Sequence, residues 1–274
     1  MEIKCIALDM DRTTLNAEGK LSDKNKKALQ YAIDKGVHIV IASGRSFSAL
    51  PEDVMALKGI EYAITCNGAE VYYIPEKKRM KSYCLSKQAV VAIMEITKDM
   101  PVTYEAFIRG QAYAGIEYIN DPVRFGATRQ AVDYVKRTRM MIEDIKSFIM
   151  EHNTELNSMD IIVKDRDLKR QAWELLEQQV EGIYITSSID QLIEISDKYA
   201  GKHSGLKFVA AHLGISDKET AAFGDADNDV DMLKAAGIGV AVANGSKKCL
   251  DAADMTVSRH DADGVAEGIY KLIG

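Results

Sequence analysis

Hydrophobic residues along the chain alternate between short apolar runs and longer amphipathic stretches. Near the start, the apolar runs IKCIALDM, VHIVIASG and YAITCNG are separated by SDKNKKALQYAIDKG and by a stretch near 47–57. Apolar runs of four to eight residues predict buried strands, and the two intervening stretches predict helices. Strands and helices in this order predict a parallel sheet covered by helices on both faces.

The C-terminal part of the chain repeats this alternation. Predicted strands lie in ETAAFGD, IGVAVANG and DMTVSR, and predicted helices lie in NDVDMLKAAG, SKKCLDAA and DGVAEGIYKLI. In the first predicted helix of the chain, Ser22 is the expected N-cap and Gly36 the expected residue just past the C-cap. The two ends of the chain together predict one doubly wound, Rossmann-like sheet domain of the α/β class.

The middle of the chain has a different pattern of predicted helices and strands. Residues 70–84 predict a β-hairpin, and the segment that follows mixes amphipathic helices, such as LKRQAWELLEQQV, with strands such as VTYEAF, MDIIV and GIYITSSI. No linker rich in Pro, Gly or Ser separates these parts. We therefore predict an α+β domain of residues 85–190 inserted into a core domain of residues 1–84 and 191–274.

Composition and charge narrow the class of protein. A chain of 274 residues with 47% hydrophobic and 28% charged residues is typical of a compact globular protein. The net charge of −6 offers no broad attraction to nucleic acid or to anionic lipid, so a small molecule is the expected partner. The first residues show no basic region followed by a long apolar one, and no long apolar segment occurs elsewhere, so we expect neither secretion nor a membrane span.

The cysteines indicate the compartment. Cys5, Cys66, Cys84 and Cys249 lie far apart, without the paired spacing of a zinc site or of a disulfide framework. Reduced thiols and a cytoplasmic location fit this spacing best. Nothing in the sequence indicates an oligomeric state.

Four polar clusters lie at or near the ends of predicted strands, where ligands bind in parallel α/β sheets. The clusters are Asp9, Asp11 and Thr13; Ser43 and Gly44; Lys202; and Asp225, Asp227, Asn228 and Asp229. Each alone is explained by a turn, a helix cap or a solvated surface. Together they supply carboxylates for a hard divalent cation, an ammonium group for a phosphoryl group and small donors for its oxygens.

In chain order, DMDRT, IASGR, GKHSGL and GDADND resemble the four motifs of the haloacid dehalogenase-like phosphohydrolases. The long insert between the second and third motifs resembles the large cap domain of the Cof-type branch of that superfamily. TCNGAEV resembles the NGA stretch that follows the third core strand in the same branch. The resemblance extends from Ile3 to the C-terminal helix. Arg12 is a departure, because the family most often has Gly there, and a bulky cation can alter substrate choice or loop shape.

The resemblance implies a role for each motif residue. Asp9 would be the nucleophile, and Asp11 would be the general acid and base. The groups that would hold the phosphoryl group are Ser43, the Gly44 backbone, Lys202 and Asn228. The groups that would bind Mg²⁺ are the Asp9 carboxylate, the Asp11 backbone carbonyl and Asp225, with Asp229 close behind.

Two further residues have open interpretations. Asn67, at a strand end, either contacts substrate or forms a turn, and Arg45 is compatible with simply beginning the next helix.

The expected function is that of a Mg²⁺-dependent phosphatase. It would hydrolyse small phosphorylated metabolites, such as sugar phosphates or a phosphorylated cofactor, through an aspartyl phosphate. A phosphomutase or phosphotransferase with the same chemistry is one alternative. A non-enzymatic phospho-acceptor or binding protein is another, and the long insert argues against a phospho-acceptor of the receiver-domain type.

Overall fold

A computed structural model of the chain describes residues 2–274, and these residues form two units. The first unit comprises the described residues up to Arg45, Leu50–Lys81 and Ala200–Gly274. The second unit comprises Ser46–Ala49 and Ser82–Tyr199, so that the predicted insert, 85–190, lies within it.

Strands and helices alternate along most of the chain. The strands are β1 (Cys5–Leu8), β2 (His38–Ala42), β3 (Ile60–Thr65), β4 (Glu70–Tyr73), β5 (Lys78–Ser82), β6 (Thr103–Ile108), β7 (Gln111–Gly115), β8 (Arg139–Ile142), β9 (Ser158–Ile162), β10 (Ile183–Thr186), β11 (Leu192–Asp197), β12 (Thr220–Gly224), β13 (Ile238–Val242) and β14 (Met255–Val257). The helices are α1 (Asp23–Asp34), α2 (Glu52–Met55), α3 (Lys87–Thr97), α4 (Ile116–Asn120), α5 (Val132–Thr138), α6 (Ile145–Glu151), α7 (Arg166–Gln179), α8 (Lys202–His212), α9 (Val230–Ala235), α10 (Lys247–Ala252) and α11 (Gly264–Ile273).

The sheet of the first unit has the strand order β14-β13-β12-β1-β2-β3-β4-β5. The pairs from β14 through β3 are parallel, and β4 pairs with β3 in the antiparallel direction. At the centre of the sheet, Leu8 of β1 lies opposite Phe223 on one side and Ile41 on the other. The carboxyl ends of β1, β2 and β12 therefore meet at one edge, and the predicted α/β fold is confirmed.

Local sequence signals account for most of these elements. All four residues of β1 are buried, as expected of a central parallel strand. The Ser22 side chain accepts a hydrogen bond from the Asn25 N–H at the start of α1, and Gly36 has a φ of 81° just past its end. The predicted hairpin corresponds to β4 and β5, which are neighbours in the sheet.

The helix predicted near 47–57 is wrong as one element. Phe47–Ala49 form a single 3-10 turn, and α2 begins only at Glu52. Pro51 separates them, because a proline disfavours helical backbone at the residue before it.

The second unit has its own sheet, with the strand order β10-β11-β9-β6-β7-β8. One face of this sheet packs on α3, α6 and α7, and its buried side chains include Tyr104, Ile161 and Ile193. On the other face, Tyr118 of α4 packs with Ala114 and Ile162 in a smaller apolar cluster.

None of the helices within residues 2–274 is both long enough and apolar enough to cross a membrane.

Candidate active site

The chain leaves β1 through an irregular turn, Met10–Thr14, that begins the site. Asp11 is extended in this turn, whereas Arg12 adopts the left-handed conformation, with a φ of 59°. The Thr14 hydroxyl donates to the Asp9 carbonyl (2.6 Å), and the Thr13 hydroxyl donates to Asp225 Oδ1 (3.1 Å). The first bond closes the turn on itself, and the second holds the turn against the segment that follows β12.

Lys202, which is itself the third cluster of the sequence analysis, contacts residues of the first and fourth clusters. Its side chain is 0% exposed, and Nζ lies 2.6 Å from Asp9 Oδ1 and 2.6 Å from Asp229 Oδ1. The other carboxylate oxygen of Asp229 accepts the backbone N–H groups of Asp225 and Ala226 (2.9 and 3.0 Å). Both oxygens of Asp229 are thus engaged, and this carboxylate orients Lys202 and the start of the fourth cluster.

The electrostatics of the site are dominated by buried carboxylates. Burial and the Asp229 carboxylate raise the pKa of Asp225 to about 7, and the nearby Arg12 opposes this shift. Burial, followed by Asp229, raises the pKa of Asp9 well above its ordinary value, although Lys202 opposes the shift. Burial acts to lower the pKa of Lys202, but the Asp229 and Asp9 carboxylates outweigh it and raise this pKa.

The arrangement can hold a cation. One carboxylate oxygen from each of Asp9, Asp225 and Asp229 lies within 4.8 Å of the others, and all three residues are buried. Among residues 2–274, no donor reaches the buried Oδ1 of Asn228. Hard divalent cations prefer carboxylate oxygens, and their bound waters can donate to an amide oxygen of this kind.

Asn67 lies in a tight turn after β3, where it contacts residues of the second, third and fourth motifs. Its side-chain oxygen accepts a hydrogen bond from Asn228 Nδ2 (2.9 Å), its N–H donates to the Ser43 carbonyl (3.1 Å), and its carbonyl accepts the Gly201 N–H (2.9 Å). Asn67 has a φ of 51°, and the next residue, Gly68, approaches Gly201 so closely that a Cβ would lie 2.0 Å from its carbonyl oxygen. Asn67 therefore forms a turn, and a contact with substrate stays a prediction.

The second cluster lies beside this turn. Ser43 is buried, and its hydroxyl oxygen accepts the Arg45 N–H (3.2 Å). Gly44 is half-buried, and no residue between 2 and 274 accepts its N–H. A small anion can be bound by such an N–H together with the Ser43 hydroxyl.

Asp11 is held differently from Asp9, in a way that the sequence analysis missed. Its side chain is 54% exposed, and Arg45 donates to both of its oxygens, from Nε (2.8 Å) and Nη2 (2.6 Å). Arg45 lies outside any helix, so it does not begin one. No sequence signal indicates an ion pair between residues 34 positions apart, because it depends on two strand ends meeting in space.

A parallel α/β sheet whose strand ends combine a buried lysine with a cluster of aspartates is typical of proteins that transfer or accept a phosphoryl group. A sequence profile of the haloacid dehalogenase-like hydrolases matches residues 6–269, and the chain belongs to this family. The resemblance noted in the motifs is thereby confirmed, including its Cof-type branch.

Curated relatives cover almost the whole chain. The chain is 28% identical over 273 residues to the 5-amino-6-(5-phospho-D-ribitylamino)uracil phosphatase YcsE of Bacillus subtilis, covering 98% of this chain and 95% of that protein. It is 29% identical over 292 residues to the phosphatase YwpJ of the same organism, covering 99% and 100%. The prediction of an enzyme that hydrolyses phosphoric monoesters is confirmed by the family together with these relatives.

Solved structures share the fold. A haloacid dehalogenase-like hydrolase from B. subtilis superimposes with a TM-score of 0.86 at 26% identity, covering 98% of this chain and all of that one. A sugar phosphatase of subclass IIB of the superfamily superimposes with a TM-score of 0.82 at 21% identity, covering 98% of each chain, and this likeness concerns the fold alone.

Proposed function

We propose that the protein is a Mg²⁺-dependent phosphatase that hydrolyses small phosphomonoesters through a phosphorylated Asp9. The observation that carries this proposal is the position of Lys202, whose side chain is fully buried between the Asp9 and Asp229 carboxylates. A buried ammonium at hydrogen-bond distance from a carboxylate can stabilise the charge that builds up as that carboxylate meets a phosphate.

The donor set fits Mg²⁺. The Asp9 and Asp225 carboxylates and the Asp11 backbone carbonyl would hold the ion, with Asp229 orienting the groups around it. The raised pKa values of Asp9 and Asp225 mark carboxylates whose negative charge the chain alone does not balance. The buried Asn228 Oδ1, to which no group among residues 2–274 donates, would supply a further acceptor beside the ion. When bound, Mg²⁺ would offset the repulsion between the nucleophile and the phosphoryl group.

Asp9 and Asp11 carry out different parts of the reaction. A carboxylate oxygen of Asp9 attacks phosphorus, and the bond to the leaving alcohol breaks as Asp11 protonates its oxygen. Asp11 then takes a proton from a water molecule that attacks the same phosphorus. The bond between phosphorus and Asp9 breaks, which releases phosphate and restores both carboxyl groups.

The other polar groups of the site bind the phosphoryl group and orient Asp11. Lys202, the Ser43 hydroxyl and the Gly44 N–H bind the phosphoryl oxygens, with the Asn228 amide beside them. Arg45 holds the Asp11 carboxylate, which must exchange the guanidinium for the leaving oxygen before it can transfer a proton.

The substrate class follows from the family and from the net charge. A chain with a net charge of −6 is unsuited to nucleic acid, and the relative YcsE is named for a small phosphorylated metabolite. We infer small phosphorylated metabolites as the substrates. We also infer that the enzyme acts in the cytoplasm, because none of its four cysteines, all of them among the described residues, forms a disulfide.

A screen of phosphorylated metabolites tests the proposal, with phosphate release as the readout. Purified protein with Mg²⁺ should release phosphate from at least one small phosphomonoester, and excess EDTA should abolish the release until Mg²⁺ is restored. Asp251→Asn, at an exposed ion pair with Lys247 on α10, is the matched control and should behave as the wild type. Full activity in EDTA would contradict the metal assignment, and no release from any phosphomonoester would contradict the proposed function.

A further inference from the structure

Arg12 has an unfavourable backbone conformation directly beside the proposed Mg²⁺ site. Its φ of 59° and ψ of 12° lie in the left-handed region, which costs an L-residue free energy that Gly would not lose. The Asn244 side chain fixes this conformation, because its Nδ2 donates a hydrogen bond to the Arg12 carbonyl (2.9 Å). A residue that is kept in a strained conformation beside a functional site is evidence for a role of its side chain there.

The Arg12 side chain is a loosely held cation. It is 59% exposed, and its Nε lies 3.8 Å from Oδ2 of the buried Asp225 carboxylate, which is too far for a hydrogen bond. The other oxygen of Asp225, Oδ1, accepts a hydrogen bond from the Thr13 hydroxyl (3.1 Å), and no residue between 2 and 274 donates one to Oδ2. The attraction between the guanidinium and Oδ2 is therefore one of charge, and a stronger cation can displace the guanidinium.

The same carboxylate is a proposed ligand of Mg²⁺. One oxygen from each of Asp9, Asp225 and Asp229 lies within 4.8 Å of the others, and the Lys202 ammonium is bound to Asp9 and Asp229. Burial and Asp229 raise the pKa of Asp225 to about 7, and Arg12 is the strongest influence in the opposite direction, ahead of the buried Lys202. Within residues 2–274, Arg12 is thus the main positive charge that acts on Asp225.

We propose that Arg12 competes with Mg²⁺ for the Asp225 carboxylate and thereby weakens metal binding, so that the enzyme responds to Mg²⁺ at higher concentrations than the same site would without this charge. The inference rests on the proposed function, because it needs a Mg²⁺ site at Asp225. A divalent cation at Oδ2 would repel a guanidinium that lies 3.8 Å from the same atom, so the Arg12 side chain would swing out as the metal enters. The exposure of this side chain leaves room for the movement.

Three substitutions of Arg12 separate its charge from its backbone strain. Arg12→Met removes the charge but keeps a long side chain and the strained φ, Arg12→Gly removes both the charge and the strain, and Arg12→Lys keeps a positive charge. Isothermal calorimetry measures the Kd of MgCl₂ for the full chain of each protein. We expect the Kd to be about 5- to 10-fold lower for Arg12→Met and for Arg12→Gly than for the wild type, and Arg12→Lys to stay close to the wild type.

Salt and a matched cation supply the controls. Because Arg12 is exposed, NaCl at about 1 M should screen its repulsion of the metal and nearly remove the difference in Kd between the wild type and Arg12→Met. Lys248→Met removes an exposed cation that pairs with Asp227 (2.8 Å), which is not a proposed ligand, and should change the Kd by less than about twofold. Equal or weaker Mg²⁺ binding by Arg12→Met would overturn the proposal. Tighter binding by Arg12→Gly alone would also overturn it, since the backbone strain would then be the cause.

The proposed function is tested separately by phosphate release in the phosphomonoester screen. Release by the wild type, together with equal Kd values for the wild type and Arg12→Met, rejects the role of Arg12 and leaves the phosphatase function intact. Tighter Mg²⁺ binding by Arg12→Met, without release from any compound, supports the competition and rejects the function. Absence of Mg²⁺ binding by both proteins overturns the proposal, because the competition requires the metal at Asp225.

Discussion

Asp9 and Asp11 are two residues apart but lie in different surroundings. Asp9 is buried at the end of β1 with its oxygen on Lys202, whereas Asp11 is half-exposed and held by Arg45. The left-handed Arg12 that follows turns the chain away from the strand direction. This separation suits the proposed division of work, in which one carboxylate attacks and the other moves protons.

The first prediction concerns these two carboxylates. Asp9→Asn should lower kcat by 10⁴-fold or more, about 5.5 kcal/mol of barrier, because it removes the attacking group. Asp11→Asn should be impaired less with p-nitrophenyl phosphate than with alkyl phosphates, since p-nitrophenolate leaves without protonation. Steady-state kinetics with both substrates measure the difference.

The covalent step is checked by mass spectrometry of acid-quenched samples. Asp11→Asn should carry phosphate on the peptide that contains Asp9, because the second step becomes slow, and Asp9→Asn should carry none. Near-normal turnover by folded Asp9→Asn would rule out the covalent mechanism.

The second prediction concerns pH and Asp225. Its pKa rises from an ordinary 3.8 to about 7 on folding without metal, so the folded state binds the proton more tightly than the unfolded state. Stability without metal should therefore fall as pH rises from about 4 to about 7, by up to about 4 kcal/mol. The proposed Mg²⁺ would bind the ionised carboxylate, so its stabilising effect should grow over the same range. Urea denaturation at pH 5 and pH 8, in EDTA and in Mg²⁺, measures both effects.

Asp225→Asn supplies the control, because the amide does not titrate. Its stability in EDTA should depend less on pH than that of the wild type, while the contribution of Asp9, which has the same sign, remains. Equal pH dependence of the two proteins would show that Asp225 is not the group responsible.

At the scale of elements, the sequence predicts those strands and helices whose residue pattern agrees with their burial. β1 is buried on both faces and reads as a continuous apolar run, and Ser22 marks the start of α1. Strand β11 is missed, because Glu194 and Ser196 are polar but buried. Asp9 and Asp225 were predicted at the carboxyl ends of strands, and the structure places them directly after β1 and β12. The Arg45–Asp11 pair was not, because side-chain contacts across strand ends have no periodicity.

The third prediction concerns the turn after β3. Asn67→Gly keeps the left-handed backbone and removes the side chain together with its hydrogen bond to Asn228, so it should lower kcat/KM by about 10- to 100-fold with little loss of stability. Asn67→Ala should show the same kinetic loss and a further destabilisation of about 1 kcal/mol from its strained φ. Kinetics and urea denaturation of both variants separate the two effects.

Lys77→Gly is the matched control, since Lys77 also has a positive φ (50°) but is exposed in the hairpin between β4 and β5. It should leave kcat/KM unchanged. A fully active Asn67→Gly enzyme would mean that the amide of Asn67 does not position Asn228 for the reaction.

At the scale of the whole molecule, the two units have separate apolar cores. The core around β1 and β2 includes Ala7 and Val40, and the core of the second unit includes Tyr104 and Ile161. Every residue proposed to bind Mg²⁺ belongs to the first unit. A ligand stabilises the part of a protein that must be folded in order to bind it.

The fourth prediction follows from this division. Saturating Mg²⁺, at about 100 times its Kd, should stabilise the first unit by about 2.7 kcal/mol. Hydrogen exchange followed by mass spectrometry should then show slower exchange in peptides from β12 of the first unit, with no change in peptides from β9 of the second. Asp225→Asn should remove the effect, because it lacks one of the proposed ligands. Equal protection of β9 and β12 by Mg²⁺ would instead mean that the two units open together, in which case metal binding stabilises both apolar cores.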